Sequence, residues 1–412
     1  MHHPMKPDRA PALVFVFVTL LIDIVGLGII IPVLPKLIQE LTGASMGDAS
    51  RVGGWMMFAY AFMQFLFAPI IGGLSDRYGR RPILLLSLFG FGANYLLMAL
   101  STHIVFLFAG RMLAGIAGAS FTTATAYIAD VSPPEKKAQN FGLIGMAFGI
   151  GFILGPVLGG IMGQFGTRWP FYAAAALGFL NTAFGYFFLP ESLKPELRRP
   201  FNWKRANPIG SFKALYKNKS IRGLALALAL VYIAIQSVQS TWSFYTLYRF
   251  GWSEAMVGYS LGVAGLLVAI VQGGLIRIVT PRLGSRTSAF IGLCCYATGL
   301  ALFAFSNAGW MMFVFQIVYC MGGLTGPSMQ GIMSNAIPAN EQGELQGLLA
   351  GLVSLSAIIG PPMMSNLFSF FSGPHAPVYF PGAGFFTGSI LVCISIVIVS
   401  RAFRRHFREE RK

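Results

Sequence analysis

Apolar residues along this chain come neither in alternation nor in heptads, but in long unbroken runs. Runs of about 20 apolar residues cross a bilayer as helices. Twelve such runs are predicted, at 12–38, 51–73, 82–101, 104–130, 139–163, 170–189, 221–248, 254–279, 286–305, 309–334, 344–371 and 381–401. The first is longer than the apolar region of a signal peptide, so it reads as a membrane helix. The polar links are short except at 190–220, where ESLKPELRRPFNWKRANP is basic and proline-bearing. The expected architecture is an all-α membrane protein of two six-helix bundles. These are an N-terminal bundle at 1–189, a linker at 190–220, and a C-terminal bundle at 221–412 ending in a short basic tail.

The two halves repeat one another at a constant offset of 205 residues. DRYGRR at 76–81 aligns with PRLGSR at 281–286, and FGLIGMAFGIGFILGP at 141–156 with QGLLAGLVSLSAIIGP at 346–361. Pro133 and Pro338, and Asp130 and Asn335, keep the same spacing. Parallel duplicated halves are a mark of transporters, in which a site between the halves is exposed to either side by rocking.

Composition agrees. Hydrophobic residues make up 55% of the chain and charged ones 11%, against about 25% charged in soluble proteins. The net charge of +16 is a topology signal before it is a nucleic-acid signal. With the N-terminus in the cytoplasm, the two tails and the cytoplasmic links hold 25 of the 30 Lys and Arg. Both termini are therefore expected in the cytoplasm, and no nucleic-acid partner is expected. The basic linker marks topology or binds anionic lipid heads. Cys294, Cys295, Cys320 and Cys393 lie in apolar runs without metal-knuckle spacing, and are expected as small buried hydrophobes.

Catalytic motifs are missing. There is no P-loop and no HExxH. Gly258 to Gly262 spells GxSxG, but that elbow needs a preceding strand, and here it opens a membrane helix. No enzyme activity, cofactor or resident metal is expected.

Ionisable residues inside the spans carry more information, since each costs about 2.5–3.5 kcal/mol at the bilayer centre. Asp23 lies in the first span and Arg111 in the fourth. Asp23 is either a proton carrier or a structural partner of a neighbouring helix. Arg111 either modulates that acid or snorkels. In the seventh span Tyr232, Gln236, Gln239 and Ser243 share one face, with Trp242 and Tyr245 nearby. With Gln64, Asn94, Gln272, Gln316 and Asn366 they either line a substrate cavity or bond helix to helix. Glycines at four-residue spacing, Gly151 to Gly163 and Gly343 to Gly351, mark close packing or sliding surfaces.

Residues 72–82, GGLSDRYGRRP, resemble the signature loop of the major facilitator superfamily. DIVGLGIIIPVLP, GRMLAGIAGA, IADVSPPEKK and GMAFGIGFILGPVLGG are similar to the twelve-helix drug:proton antiporters, with the tetracycline-exporter branch nearest. The resemblance implies an inner-membrane exporter that exchanges a small amphipathic molecule for protons. It gives Asp23 and Arg111 the roles of the family's first-helix acid and fourth-helix arginine. Asp76, Arg77, Gly79, Arg80 and Arg81 match the signature loop, Asp130 the acid that pairs with Arg80, and Pro156 the antiporter motif. Where tetracycline exporters carry further acids and a histidine, this chain has Asn94, Tyr296 and Val268, which weakens the case for a metal-chelated tetracycline.

The function expected is proton-coupled export of tetracycline-type or multidrug substrates by alternating access, with the chain acting as a monomer among membrane lipids. The alternatives are a proton-coupled sugar or metabolite symporter and a membrane sensor on the same fold. In the signature loop, topology marking accounts for the arginines but not for Asp76. A latch is expected there, with Asp76 facing the start of the eleventh span at Gly343 to Gly347 and Arg80 on Asp130.

Overall fold

The computed structural model describes residues 9–119, 121–133, 137–201, 219–338, 341–374 and 376–409. Most of the predicted linker, the extreme termini and part of the 131–138 link lie outside these. Among the described residues the chain is helical, with no strand.

The first span is broken. α1 (Arg9–Ile29) gives way to a second piece, Leu34–Thr42, bent from it by 48°. Pro32 sits in the break and Pro35 opens the second piece, and neither can donate to the helix ladder. α2 (Met46–Tyr78) starts five residues earlier than its apolar run, because Ser45 caps it by accepting the Asp48 amide at 3.2 Å. The remaining first-bundle spans are α3 (Arg80–Ala99), α4 (Ile104–Gly118 with Phe121–Val131), α5 (Lys137–Gly163) and α6 (Trp169–Phe188). The second bundle opens with α7 (Lys219–Phe250).

Residues 254–304 form one helical run of 51 residues, far longer than a bilayer is thick. At Gly284 the backbone takes φ 79° and ψ 156°, and the run divides there into α8 (254–283) and α9 (285–304). α10 joins Gly309–Met321 to Thr325–Asn335 through a 3-10 turn, and α11 (Gln342–Ser372) and α12 (Ala383–Glu409) complete the set. Among the described residues ten helices are individually long and apolar enough to span, the bent first pair adds one, and the division at Gly284 accounts for the twelfth.

The predicted loops at 74–81 and 277–286 are corrected to single residues. α2 runs through Asp76 and Arg77 to Tyr78, and only Gly79 (φ 104°) separates it from α3. Gly284 does the same 205 residues later. Both conformations are ones that a Cβ disfavours, so the duplicated glycines have a backbone reason.

Within the first bundle α1 packs on α5 and α6, and α3 on α4 and α6. In the second, α7 packs on α11 and α12, and α9 on α10 and α12. The bundles meet chiefly where α2 crosses α11 and α5 crosses α8. The glycine stripe of α5 serves the first kind of contact. Gly151, Gly155 and Gly159 lie against Ile24, Val25, Gly28 and Ile29 of α1, so they are packing residues of one bundle and not a sliding surface. The opposite edge of α5 crosses to α8, where Gly258 meets Pro156 and Gly160. This is the use made of the GxSxG match. The cysteines depart from expectation too: Cys320 is buried, but Cys294 and Cys393 are exposed on the surface of their spans.

Candidate functional site

A polar cluster occupies the first bundle. Asp23 is partly buried on α1. Asn181 of α6 donates Nδ2 to Asp23 Oδ1 at 3.4 Å and to the Thr19 carbonyl at 3.1 Å. Tyr60 of α2 and Tyr95 of α3 lie within electrostatic reach of both Asp23 and Arg111. Tyr95 is held beside α1 because Gly26 leaves room for its ring, and Tyr60 lies against Gly115 and Gly118 of α4. Arg111 forms no ion pair among the described residues, and its Nε is buried without a partner. Asn94, 1% exposed, is also unpartnered at both amide atoms, next to Gly110 of α4. Gln64 donates to the Gly118 carbonyl at 3.3 Å. Unpaired polar atoms are uncommon in protein interiors, and this cluster gathers several around one acid and one base.

The expected wall on α7 divides. Tyr232 is partly buried and accepts from Gln330 at 3.4 Å, and Gln239 is exposed. Gln236 is buried against Gly360 of α11 with its Oε1 unpartnered. Trp242 is a correction. It is 2% exposed, donates Nε1 to Ser260 at 2.9 Å, and stands edge-on to Phe303 and Phe385 in the packed core of the second bundle. Gln316 is buried as well: its Nε2 is bonded to the Ser260 carbonyl at 3.1 Å, and its Oε1 is without a partner. Both are helix-to-helix ties, because Ser260 sits on α8 between α7 and α10. Asn366 is bonded to its own helix at Pro362, beside an open groove of about 580 Å³ between α11 and α12.

The two membrane faces differ. One, which we call the basic face, carries the α2–α3 turn, the linker and the end of α12. There Arg80 is buried and pairs with Asp76 at 2.6 Å and with Asp130 at 3.2 Å, and it also bonds Ser75. The Glu191 carboxylate caps α3 by accepting the amides of Arg80 and Arg81, at 2.9 and 3.2 Å. Arg81 donates to the Tyr186 carbonyl, and Arg77 lies over the exposed Tyr78 ring. The expected Arg80–Asp130 pair is present. The expected contact of Asp76 with α11 is not: Asp76 is taken by Arg80, and a Cβ at Gly343 would meet nothing within 4 Å among the described residues.

That emptiness is general. Gly142, Gly145 and Gly149 of α5, Gly273 and Gly274 of α8 and Gly331 of α10 likewise have room for a Cβ. On the opposite face the bundles are in contact. Gly54 of α2 lies under Ser365 of α11, Gly53 under Phe244 of α7, and Gly160 under Glu254 of α8. Lys36 pairs across the bundles with Glu254, whose side chain is buried. The close contacts between the halves described here therefore lie on the face opposite the basic one.

Sequence reasoning missed Asn181, Tyr60, Lys36 and Glu254. The lone Asn of α6, in FLNTAF, was the one visible signal. Neither end of the Lys36–Glu254 pair lies deep in a span, so neither stood out.

A chain of twelve spanning helices, duplicated in parallel and closed on one face, has the architecture of a secondary transporter. A sequence profile of the Major Facilitator Superfamily matches residues 16–361, and a second match covers 275–412. The chain belongs to the major facilitator superfamily. Within it, the sequence falls in the branch of the tetracycline resistance proteins. It is 38% identical to the class C tetracycline resistance protein of Escherichia coli over 365 residues, covering 89% of this chain and 91% of that one. It is 27% identical to multidrug resistance protein 2 of Bacillus subtilis (strain 168), covering 89% and 92%. Among solved structures, the human organic anion transporter MFSD10 (TETRAN) superposes with a TM-score of 0.69 at 25% identity, covering 96% of this chain and all of that one.

Proposed function

We propose that this protein is a proton-coupled exporter of amphipathic, drug-like molecules of the tetracycline or multidrug type. The observation that carries the reading is the cluster around Asp23: an acid inside the membrane, held by an amide and sharing a bundle with an unpaired arginine. Such residues are costly to insert and are kept where ions or substrates pass. The similarity to tetracycline and multidrug resistance proteins supports the direction and the substrate class.

In this reading the basic face is cytoplasmic, as the distribution of Lys and Arg supports, and the structure is open to the cytoplasm. Substrate enters between the halves, against Tyr232, Gln236 and Gln239 on one side and Gln64 and Asn94 on the other. Asp23 exchanges protons between the two aqueous sides, and Arg111 modulates it. Each proton entering down the membrane potential releases about 2.3 kcal/mol per 100 mV, enough to drive a modest gradient. On closure of the cytoplasmic side, the Asp76–Arg80–Asp130 group meets α11, and Pro156 and Gly160 part from α8. One chain holds every element of the cycle, which supports a monomer.

The test is proton-gradient-driven uptake into liposomes holding the purified protein, across a panel that includes tetracycline and ethidium. Wild type should accumulate at least one compound, and Asp23→Asn should not. Uptake that survives Asp23→Asn removes the acid from the mechanism. No uptake of any panel compound, with uptake of a sugar or metabolite instead, replaces export by symport.

A further inference from the structure

Among the described residues Asp23 has one side-chain hydrogen-bond partner, and that partner is itself incompletely bonded. Asn181 is fully buried on α6. Its Nδ2 donates to the Thr19 carbonyl at 3.1 Å and to Asp23 Oδ1 at 3.4 Å. Its Oδ1 is buried and has no partner. The Thr19 hydroxyl, one turn before Asp23 on the same side of α1, is also buried and unpartnered. Simple helix-to-helix bonding would be satisfied by the Thr19 carbonyl alone. It explains neither the reach toward the acid nor the acceptor left idle beside it.

A carboxamide carries both a donor and an acceptor. An ionised carboxylate only accepts, and Nδ2 serves it as the structure stands. A protonated carboxyl also donates, and the idle Oδ1 belongs to the same amide. Two orphan oxygens next to an acid are unexplained while that acid is ionised, and are acceptors once it carries a proton.

We infer that Asn181 is a positioning residue for proton coupling, holding Asp23 in one place through both protonation states: Nδ2 donates to the carboxylate, and Oδ1 accepts from the carboxyl. The inference rests on the reading of Asp23 as proton carrier. The only covalent change is the O–H bond formed with a proton from water on one side and broken to water on the other. The other groups within electrostatic reach of Asp23 are Tyr60 from α2 and Tyr95 from α3, and both also reach Arg111 of α4. The α5 face against α1 is built of glycines and adds no titratable group.

The test follows the proton directly and needs no substrate. Infrared difference titration of the full-length protein in liposomes records protonated carboxyl bands, and Asp23→Asn identifies the band of Asp23. In Asn181→Leu the carboxylate loses its donor. The carboxyl loses its acceptor too, but the bond to the ionised form is the stronger, so the band should persist to higher pH, its midpoint moved by about one unit, and its C=O stretch should shift for want of the amide. Asn181→Ser, smaller and too short to reach Asp23, should move the midpoint the same way and stands in if the leucine variant does not fold. A folded variant in which midpoint and stretch stay at the wild-type values overturns the inference. If Asp23→Asn removes no titrating band, Asp23 does not carry the proton, and the parent reading falls with it. If that band is removed but is insensitive to Asn181, only the role of Asn181 falls.

Discussion

The two bundles share a backbone and differ in what they bury. Gly79 and Gly284 take nearly the same positive-φ conformation, and each forms a one-residue break between spans. α4 breaks just after Gly118, and α10 turns 3-10 at Gly322–Leu324, close to 205 residues later. Yet Arg111 in the first half stands at the repeat position of Gln316 in the second, and Asn94 at that of Gly299. Arg111 has an unpaired buried Nε, whereas Gln316 is tied to Ser260. Asn94 keeps two idle polar atoms, whereas Gly299 lets α9 close on the Tyr319 backbone. Both bundles keep buried polar atoms without partners, among them Gln236 Oε1 and Gln316 Oε1 in the second, but the intramembrane acid and arginine belong to the first alone, while the second adds a cluster of edge-on aromatics to its packing. Duplication preserved the geometry and left Asp23 and Arg111 in one copy.

Five substitutions probe that contrast, the strongest first. Arg111→Gln gives the first bundle the residue of the second. It should reduce proton-driven uptake to background while leaving yield and thermal stability close to wild type. Unchanged uptake would mean that the two positions are equivalent after all.

Next, Gly79→Ala and Gly284→Ala test the shared turn. Each forces a Cβ into a positive-φ, extended-ψ conformation that is essentially reserved for glycine, at about 1–3 kcal/mol. At Gly79 the new carbon also runs into the Glu191 carboxylate that caps α3, whereas nothing lies within 4 Å of it at Gly284. The melting temperature of Gly79→Ala should fall clearly further than that of Gly284→Ala.

Lys36→Gln then loosens the closed face by leaving the buried Glu254 without its cation. Thiol labelling of a cysteine placed at Val33, which is buried on this face beside Gly163, should rise a few-fold, since Lys36 is itself partly exposed and its pairing is worth little alone. The smallest effect is expected from Trp242→Phe, which removes the bond to Ser260 but keeps most of the aromatic packing. It should cost about 1 kcal/mol in stability and leave substrate affinity unchanged. A large change in affinity would restore Trp242 to the binding wall.

Much of this was legible from the sequence for physical reasons that act locally. A run of apolar residues long enough to span lipid has little choice but helix, because no water is present to satisfy its backbone. A repeated glycine at a turn, and Asp23 and Arg111 inside apolar spans, are visible because each breaks a strong pattern. Roles that depend on which neighbour arrives were not legible. Trp242 and Gln239 lie three residues apart on one helix, but one faces the core of its bundle and the other does not. Helical spacing cannot say which stripe faces a cavity when both sides are apolar. Asn181 looked like any amide in a membrane helix until α6 was laid against α1.

The chain's own pattern thus determined the number of spans, the duplication, the turns, and the presence of an acid and a base within the membrane, since each follows from the cost of exposing backbone or charge to lipid. Tertiary structure decided the rest. It brought Asn181 to Asp23, tied Gln316 and Trp242 to Ser260, gave Asp76 to Arg80, and closed one face through Lys36 and Glu254. Those are partnerships between helices far apart in sequence, and only packing chooses them.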